Sequence, residues 1–180
     1  MMKYFLAIIG GGPAGYTAAE IASKAGKDVV IFEQTALGGT CLNVGCIPTK
    51  TLLYSAKQYY NATHADKYGV KAEGVSFDYA KIVQRKVKVV RKLVAGIKQK
   101  LNNEHCTVVM GAASIVSRTD EQVVIACGDE QYEAENLLIC TGSTNFVPPI
   151  PGVKDNPAIW DSTMALDSKE LPASMIIIGG

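Results

Sequence analysis

Lys3-Tyr4-Phe5-Leu6-Ala7-Ile8-Ile9-Gly10-Gly11-Gly12-Pro13-Ala14-Gly15 decides how this chain folds. Lys3 to Ile9 is a near-continuous apolar run, as expected of a strand buried on both faces of a parallel sheet. The glycines that follow fit G-x-G-x-x-G, with Gly10, Gly12 and Gly15 in the key places. Tyr16 to Ala25 then reads as a small-residue helix stopped by Gly26, and Asp28 to Phe32 as a second apolar strand closed by Glu33. In such a unit the first glycine permits the tight turn and the second lets backbone approach a pyrophosphate. The third lets helix and strand pack closely, while the helix N-terminus faces phosphate charge. Glu33 lies eighteen residues beyond Gly15, where an acid ending the second strand can accept from a ribose hydroxyl. The expectation is a bound dinucleotide, and an acid at this place disfavours a 2′-phosphate, hence NADP.

Immediately downstream stands Gly38-Gly39-Thr40-Cys41-Leu42-Asn43-Val44-Gly45-Cys46-Ile47-Pro48-Thr49-Lys50. Residues i and i+5 of a regular helix are rotated by about 140° and separated by about 7.5 Å of rise. A disulfide needs Cα atoms within about 7 Å and converging side chains, so Cys41 and Cys46 cannot bridge across an ideal helix. If they pair, the backbone between them is distorted, and Asn43 and Gly45 tolerate that. Pro48 suits the first turn of the helix expected over Thr49 to Asp66. A cysteine near a helix N-terminus feels positive potential, which favours a reactive thiolate. Three readings of the pair stand side by side: a redox-active disulfide, a structural disulfide, and part of a metal site. Zinc asks for about four close ligands, whereas His64 and His105 are the only histidines and neither is nearby in sequence. Both read as solvent-facing residues near helix ends.

Asp78 to Asn103 reads as a long helix with Asp78 as its N-cap. Ile82, Val83, Val87, Val90, Val94, Ile97 and Leu101 form an apolar stripe. Lys81, Arg85, Lys86, Lys88, Arg91, Lys92, Lys98 and Lys100 line the other face, either as a solvated surface or as a dock for an acidic partner. Aromatic interleaving and a nucleic-acid motif are lacking. Thr107–Met110, Ala113–Val116, Gln122–Ala126 and Gln131–Ala134 read as short strands of an antiparallel meander, expected to cover one face of the sheet. Asn136 to Cys140 is a further apolar strand, ending in Thr141-Gly142-Ser143, a small turn of the kind that binds ligands at strand carboxyl ends. Phe146 to Pro157 holds four of the seven prolines and reads as a linker. A turn and short helical piece are expected within Trp160 to Asp167. Ile176-Ile177-Ile178-Gly179-Gly180 repeats Ala7-Ile8-Ile9-Gly10-Gly11, as the opening of a second dinucleotide-binding domain would.

Bulk properties agree with an ordinary globular chain: 180 residues, 48% hydrophobic, 19% charged, net charge +1. That balance gives no global electrostatic case for nucleic acid or membrane binding. Neither a signal peptide nor a membrane span is expected, and the expected location is cytoplasmic. Five cysteines, an odd number, are not spaced as a secreted framework. In a reducing compartment a disulfide is usually catalytic. Cys106, Cys127 and Cys140 lie in or beside apolar runs and read as buried small hydrophobes.

The order of these motifs resembles that of the flavoprotein disulfide reductases. The Gly38 to Lys50 block is most similar to that of the dihydrolipoamide dehydrogenases, with Leu42, Ile47 and Thr49 leaning that way; glutathione and mercuric reductases carry similar blocks. The resemblance covers the whole chain but only the amino-terminal portion of a family member. It implies FAD, with Gly10, Gly12, Pro13, Ala14 and Gly15 against its adenosine and pyrophosphate and Glu33 on the ribose. Gly38, Gly39, Thr40 and Lys50 would approach the flavin, and Gly111 with Thr141, Gly142 and Ser143 would complete the pocket. Cys46 would be the sulfur proximal to the flavin, and Cys41 the distal sulfur that exchanges with substrate. Where the family usually has alanine before Thr-Gly, this chain has Cys140.

The expected fold is therefore α/β, a doubly wound Rossmann-like FAD-binding domain with a parallel sheet, long helices and an inserted β-meander. Residues 1–147 would form this domain with its redox disulfide, 148–172 a linker, and 173–180 the first strand and glycine turn of an NAD-binding domain. The implied reaction passes electrons from dihydrolipoamide through the Cys41–Cys46 disulfide and FAD to NAD. Implied partners are dihydrolipoamide or the lipoyl domain of a 2-oxoacid dehydrogenase complex or glycine cleavage system, within a homodimer. In the family the general base is a histidine of a carboxyl-terminal domain, matched by neither His64 nor His105. The chain alone is accordingly expected to lack lipoamide–NAD turnover and to hold FAD weakly.

Overall fold

The computed structural model describes residues 2–179. The chain divides into two compact units, residues 1–43 with 91–146 and residues 44–90 with 147–180.

The first unit is built on one six-stranded sheet. Its strands are β1 (Met2–Ile9), β2 (Val29–Glu33), β3 (Cys106–Met110), β4 (Ala113–Arg118), β5 (Val123–Cys127) and β6 (Glu130–Ile139), in the spatial order β3-β2-β1-β6-β5-β4. β3, β2, β1 and β6 run parallel, with Ile8 opposite Ile31 on one side and Leu138 on the other. Helix α1 (Pro13–Lys24) makes the crossover from β1 to β2. All five residues of β2 are buried, as a strand flanked by parallel neighbours and covered on both faces requires. Phe32 meets Tyr132 edge-on with ring centroids 5.1 Å apart. Around that pair Tyr4, Ala7, Val30, Val123, Ile125 and Ala134 close one face of the sheet. Fold class is as expected, a mixed α/β domain with parallel and antiparallel strands.

Three details differ from the sequence reading. β3 is not part of the meander: it pairs parallel with β2, Val108 opposite Ile31, at the far edge of the sheet. The meander of β4, β5 and β6 does not cover a face; it continues the same sheet beyond β1. Gln131–Ala134 and Asn136–Ile139 belong to one ten-residue strand. β6 changes neighbours along its length, which explains its appearance. Its first half lies between β1 and β5, whereas Asn136 to Ile139 pair with β1 alone. Glu133 and Glu135 therefore interrupt the apolar pattern without interrupting the strand.

The second unit contains helix α3 (Cys46–Thr63), a single 3₁₀ turn (Ala65–Tyr68) and α5 (Ser162–Asp167). Helix α4 (Tyr79–Leu101) begins in this unit and ends in the first. Asp78 caps α4, accepting from the Lys81 amide at 3.1 Å. Asp161 caps α5 in the same way, accepting from the Met164 amide at 2.8 Å. The expected basic face of α4 is exposed except at Lys86, which is 5% accessible. Lys86 Nζ donates to the Leu166 carbonyl and lies 3.4 Å from the Asp167 carboxylate, and Tyr79 Oη donates to the Ser168 carbonyl at 3.3 Å. α4 thus holds the carboxyl end of α5, a place where a cation also meets the negative end of a helix. Residues 148–161 carry neither helix nor strand. Ile176, Ile177 and Ile178 are exposed and not in a strand; Gly180 lies outside the described residues. No helix among the described residues is long and apolar enough to cross a membrane.

Candidate functional site

The carboxyl ends of β1, β2, β3 and β6 bring together most of the residues singled out from sequence. Gly10 leaves β1 with φ +109°. Gly15, on the first turn of α1, lies so close to the turn that a Cβ there would sit 1.8 Å from the Gly10 carbonyl oxygen. Only a glycine lets the helix pack at that distance. Gly12 is the N-cap residue of α1 and offers no side chain to its amides, and Pro13 occupies the first helical position. The α1 amino end therefore presents open backbone donors in positive potential, the donor chemistry that suits a pyrophosphate. A Cβ on Gly12 would meet nothing nearer than 3.8 Å, so the space before this turn is open.

The loop after β2 packs on the same turn. The Gly38 amide donates to the Gly11 carbonyl at 2.8 Å, and a Cβ on Gly39 would fall 2.7 Å from the Gly12 Cα. Glu33 joins the two loops. It is buried, with Oε2 accepting from the Gly11 amide at 2.8 Å. Its Oε1 accepts from the Thr35 amide at 2.8 Å, the Thr35 hydroxyl at 2.9 Å and the Ala36 amide at 3.2 Å. Burial pushes this carboxyl up, but the Thr35 and Gly11 amides, the Thr35 hydroxyl and the Ala36 amide together hold it below the usual glutamate value.

Gly111 follows β3, its amide bonded to the Glu33 carbonyl at 2.8 Å. The Cys127 sulfur fills the place a Gly111 side chain would take. Cys140 follows β6, its amide bonded to the Ile9 carbonyl at 2.8 Å, with exposed Thr141, Gly142 and Ser143 beyond it. Cys127 is buried as expected, whereas Cys106 and Cys140 are only half-buried. Burial pushes the Cys106 thiol up to about 11, as suits a packing thiol rather than a nucleophile.

Thr40 and half-buried Cys41 lie on the short helix α2 (Gly39–Val44). Asn43 Nδ2 donates to the Leu37 and Gly39 carbonyls, at 3.1 and 3.0 Å, and fastens α2 to the loop before it. The helical backbone then breaks at Gly45 (φ −145°, ψ −112°), and α3 restarts at Cys46. The two cysteines stand on separate helical segments, and the distortion that a pairing of them would require falls on Gly45, while Asn43 stays helical. Cys46 and Lys50 are exposed on the first turns of α3, in the second unit. That turn carries no acidic residue and no side-chain cap, and Thr49 Oγ1 returns to the Gly45 carbonyl at 2.7 Å. His64 closes α3, stacked on Tyr60 at 4.0 Å, and His105 Nδ1 contacts Asp28 at 2.9 Å.

Sequence reasoning missed Gly11, Thr35 and Ala36 as partners of Glu33. A hydroxyl two residues beyond a strand-terminal acid was the available signal, since such short spacings favour local side-chain bonds.

The pyridine nucleotide-disulphide oxidoreductase family profile matches residues 4–180. Dihydrolipoyl dehydrogenase of Geobacillus stearothermophilus is 40% identical over 173 residues, covering 96% of this chain and 36% of the relative. A dihydrolipoyl dehydrogenase of Bacillus subtilis is 42% identical over 177 residues, covering 97% and 38%. The chain thus spans little more than a third of the length of these relatives. Among solved structures, the Cu(II) complex of the HOCl-induced flavoprotein disulfide reductase RclA of Escherichia coli aligns with a TM-score of 0.75 at 35% identity. That alignment covers 96% of this chain and 36% of the other. LpdA of Mycobacterium tuberculosis shares the fold, with a TM-score of 0.81 at 23% identity, over 96% of this chain and 38% of the other. This chain belongs to the pyridine nucleotide-disulphide oxidoreductase family.

Proposed function

We propose that the chain is the FAD-binding, disulfide-bearing portion of an oxidoreductase that moves electrons between dihydrolipoamide and NAD. The observation that carries this reading is the pairing, in one short stretch, of two structures. One is a tightly packed glycine turn before an uncapped helix start, which supports a dinucleotide site; the other is a helix break that sets Cys41 and Cys46 on separate segments. Gly12, Ala14 and Gly15 would receive the pyrophosphate with their backbone, Pro13 would shape the turn, and Glu33 would accept from the adenosine ribose. Gly38, Gly39, Thr40, Lys50, Gly111, Thr141, Gly142 and Ser143 are assigned to the remainder of the cofactor. FAD, when bound, supplies two-electron transfer to NAD.

In the reading proposed, a dihydrolipoamide thiolate attacks Cys41 Sγ of the Cys41–Cys46 disulfide, and Cys46 leaves as a thiolate. The second substrate thiolate attacks its own mixed sulfur and releases Cys41. One disulfide forms in the substrate as one breaks in the chain, and two electrons pass from the first to the second. The open amino end of α3 gives the Cys46 sulfur a favourable electrostatic setting for carrying charge. Lipoyl domains of a 2-oxoacid dehydrogenase complex or glycine cleavage system are the proposed partners, a homodimer the proposed assembly of the complete enzyme, and cytoplasm the proposed location.

The test is anaerobic reduction of the chain with dihydrolipoamide in the presence of added FAD. Lipoamide should form in proportion to oxidised chain, and neither Cys41→Ser nor Cys46→Ser should support it. Undiminished lipoamide formation by either variant would refute the assignment. Steady lipoamide–NAD turnover is expected to be absent from the isolated chain.

A further inference from the structure

The two oxygens of the Glu33 carboxylate are not equivalent. Oε1 takes three donors, the amide and hydroxyl of Thr35 and the amide of Ala36. Oε2 takes only the Gly11 amide, at 2.8 Å. A carboxylate has about four acceptor positions over its two oxygens. Oε1 therefore has no capacity for a ligand, and Oε2 keeps one position. Among the described residues no cation forms an ion pair with Glu33. Its orientation is set by these four donors alone, and a rotation of the group would need to break several of them.

We propose that Thr35 is a positioning residue of the dinucleotide site. Its amide and hydroxyl together hold Oε1 and so fix the carboxylate, leaving Oε2 with one open position as a single acceptor for one ribose hydroxyl. The inference rests on the dinucleotide reading above and deepens it: ribose recognition belongs to the Thr35–Glu33–Gly11 chain of bonds rather than to Glu33 by itself. Thr35 is exposed, so its hydroxyl can be changed without opening the core. A valine removes that donor at nearly constant shape and leaves Oε1 held by the two amides alone, so the carboxylate is less firmly oriented, whereas a serine retains the donor.

The experiment measures dissociation constants of the full chain for ADP, 2′-deoxy-ADP and 3′-deoxy-ADP by amide NMR titration. The measurements use the unsubstituted chain, Thr35→Val and Thr35→Ser. The unsubstituted chain should prefer ADP over its weaker deoxy analogue by about tenfold, the scale of a hydrogen bond to a charged group. Thr35→Val should bring that ratio to about threefold or less, and Thr35→Ser should restore it. An unchanged ratio in Thr35→Val, with ADP still bound, would overturn the positioning role alone. Equal weakening of all three nucleotides would also overturn it, since a merely structural loop would do that. Absence of ADP binding by the unsubstituted chain would instead overturn the dinucleotide reading, and this inference with it.

Discussion

The glycine turn after β1 and the helix break before Cys46 lie close in sequence and are built on opposite plans. At the turn, close packing decides everything. Gly15 sits against the Gly10 carbonyl, Gly39 against Gly12, and the buried Glu33 carboxylate takes four donors from three residues. At the break Leu42 and Pro48 are buried, but their polar neighbours on the first turns of α3 are open. Cys46, Thr49 and Lys50 are exposed, and the first turn of α3 has no side-chain cap. The glycine turn is organised by the chain's own backbone and the Glu33 carboxylate. Near the break the Cys46 sulfur is accessible, as the proposed thiol exchange would require. Substitutions should therefore be costly in stability at the first region and costly only in chemistry at the second.

The largest effect should come from Gly15→Val, which forces side-chain atoms into the Gly10 carbonyl. Urea unfolding should show a loss of about 3 kcal/mol, as for severe overpacking. Nucleotide binding should disappear with it. A loss under about 1 kcal/mol would break the claim that this turn is rigidly packed.

Glu33→Gln comes next, at about 2 kcal/mol near neutral pH, because an amide nitrogen would face donors that need an acceptor. The folded carboxyl is held below its ordinary value of 4.5, so the ionised group stabilises the fold above that value. This contribution should fall away as pH drops through the lower folded value. The stability difference between the unsubstituted chain and the glutamine variant should thus be full at neutral pH and shrink below 4.5. A difference that grows on acidification would contradict the hydrogen-bond account.

Lys86→Met sharpens the comparison from the other side. Lys86 shows that the unit carrying Cys46 also has a fixed point, at α5 rather than at the thiol. Removing the buried donor to the Leu166 carbonyl should cost about 1 kcal/mol. Hydrogen exchange should quicken over residues 162–171 while the glycine turn stays unchanged. The smallest effect belongs to Cys46→Ser, expected to alter stability by less than about 0.5 kcal/mol, as at an exposed position. Its loss should appear only in thiol chemistry.

How much of this was legible in sequence depends on how local each cause is. Gly10, Gly12, Gly15 and Glu33 could be assigned because their spacing encodes one strand, one turn and one helix. Helix geometry called for a distortion between Cys41 and Cys46 only on the condition that the two pair, and Gly45 supplies one. β3 was misplaced because its partner, β2, lies 77 residues earlier in register and its own residues do not name a neighbour. Glu133 and Glu135 suggested a break in β6 that pairing with β1 overrides. Lys86 read as one more surface cation because burial was decided by α5, far along the chain. Thr35 and Ala36 went unnoticed because their role depends on how the loop after β2 curls back.

The central claim is that this chain carries a preformed half-site for a dinucleotide, and amide NMR of the chain titrated with ADP tests it most directly. The account predicts saturable shifts concentrated at Gly11, Gly12, Ala14, Gly15 and Thr35, with α3 and α5 unmoved. Shifts absent from the glycine turn, or spread evenly over the basic face of α4, would contradict it.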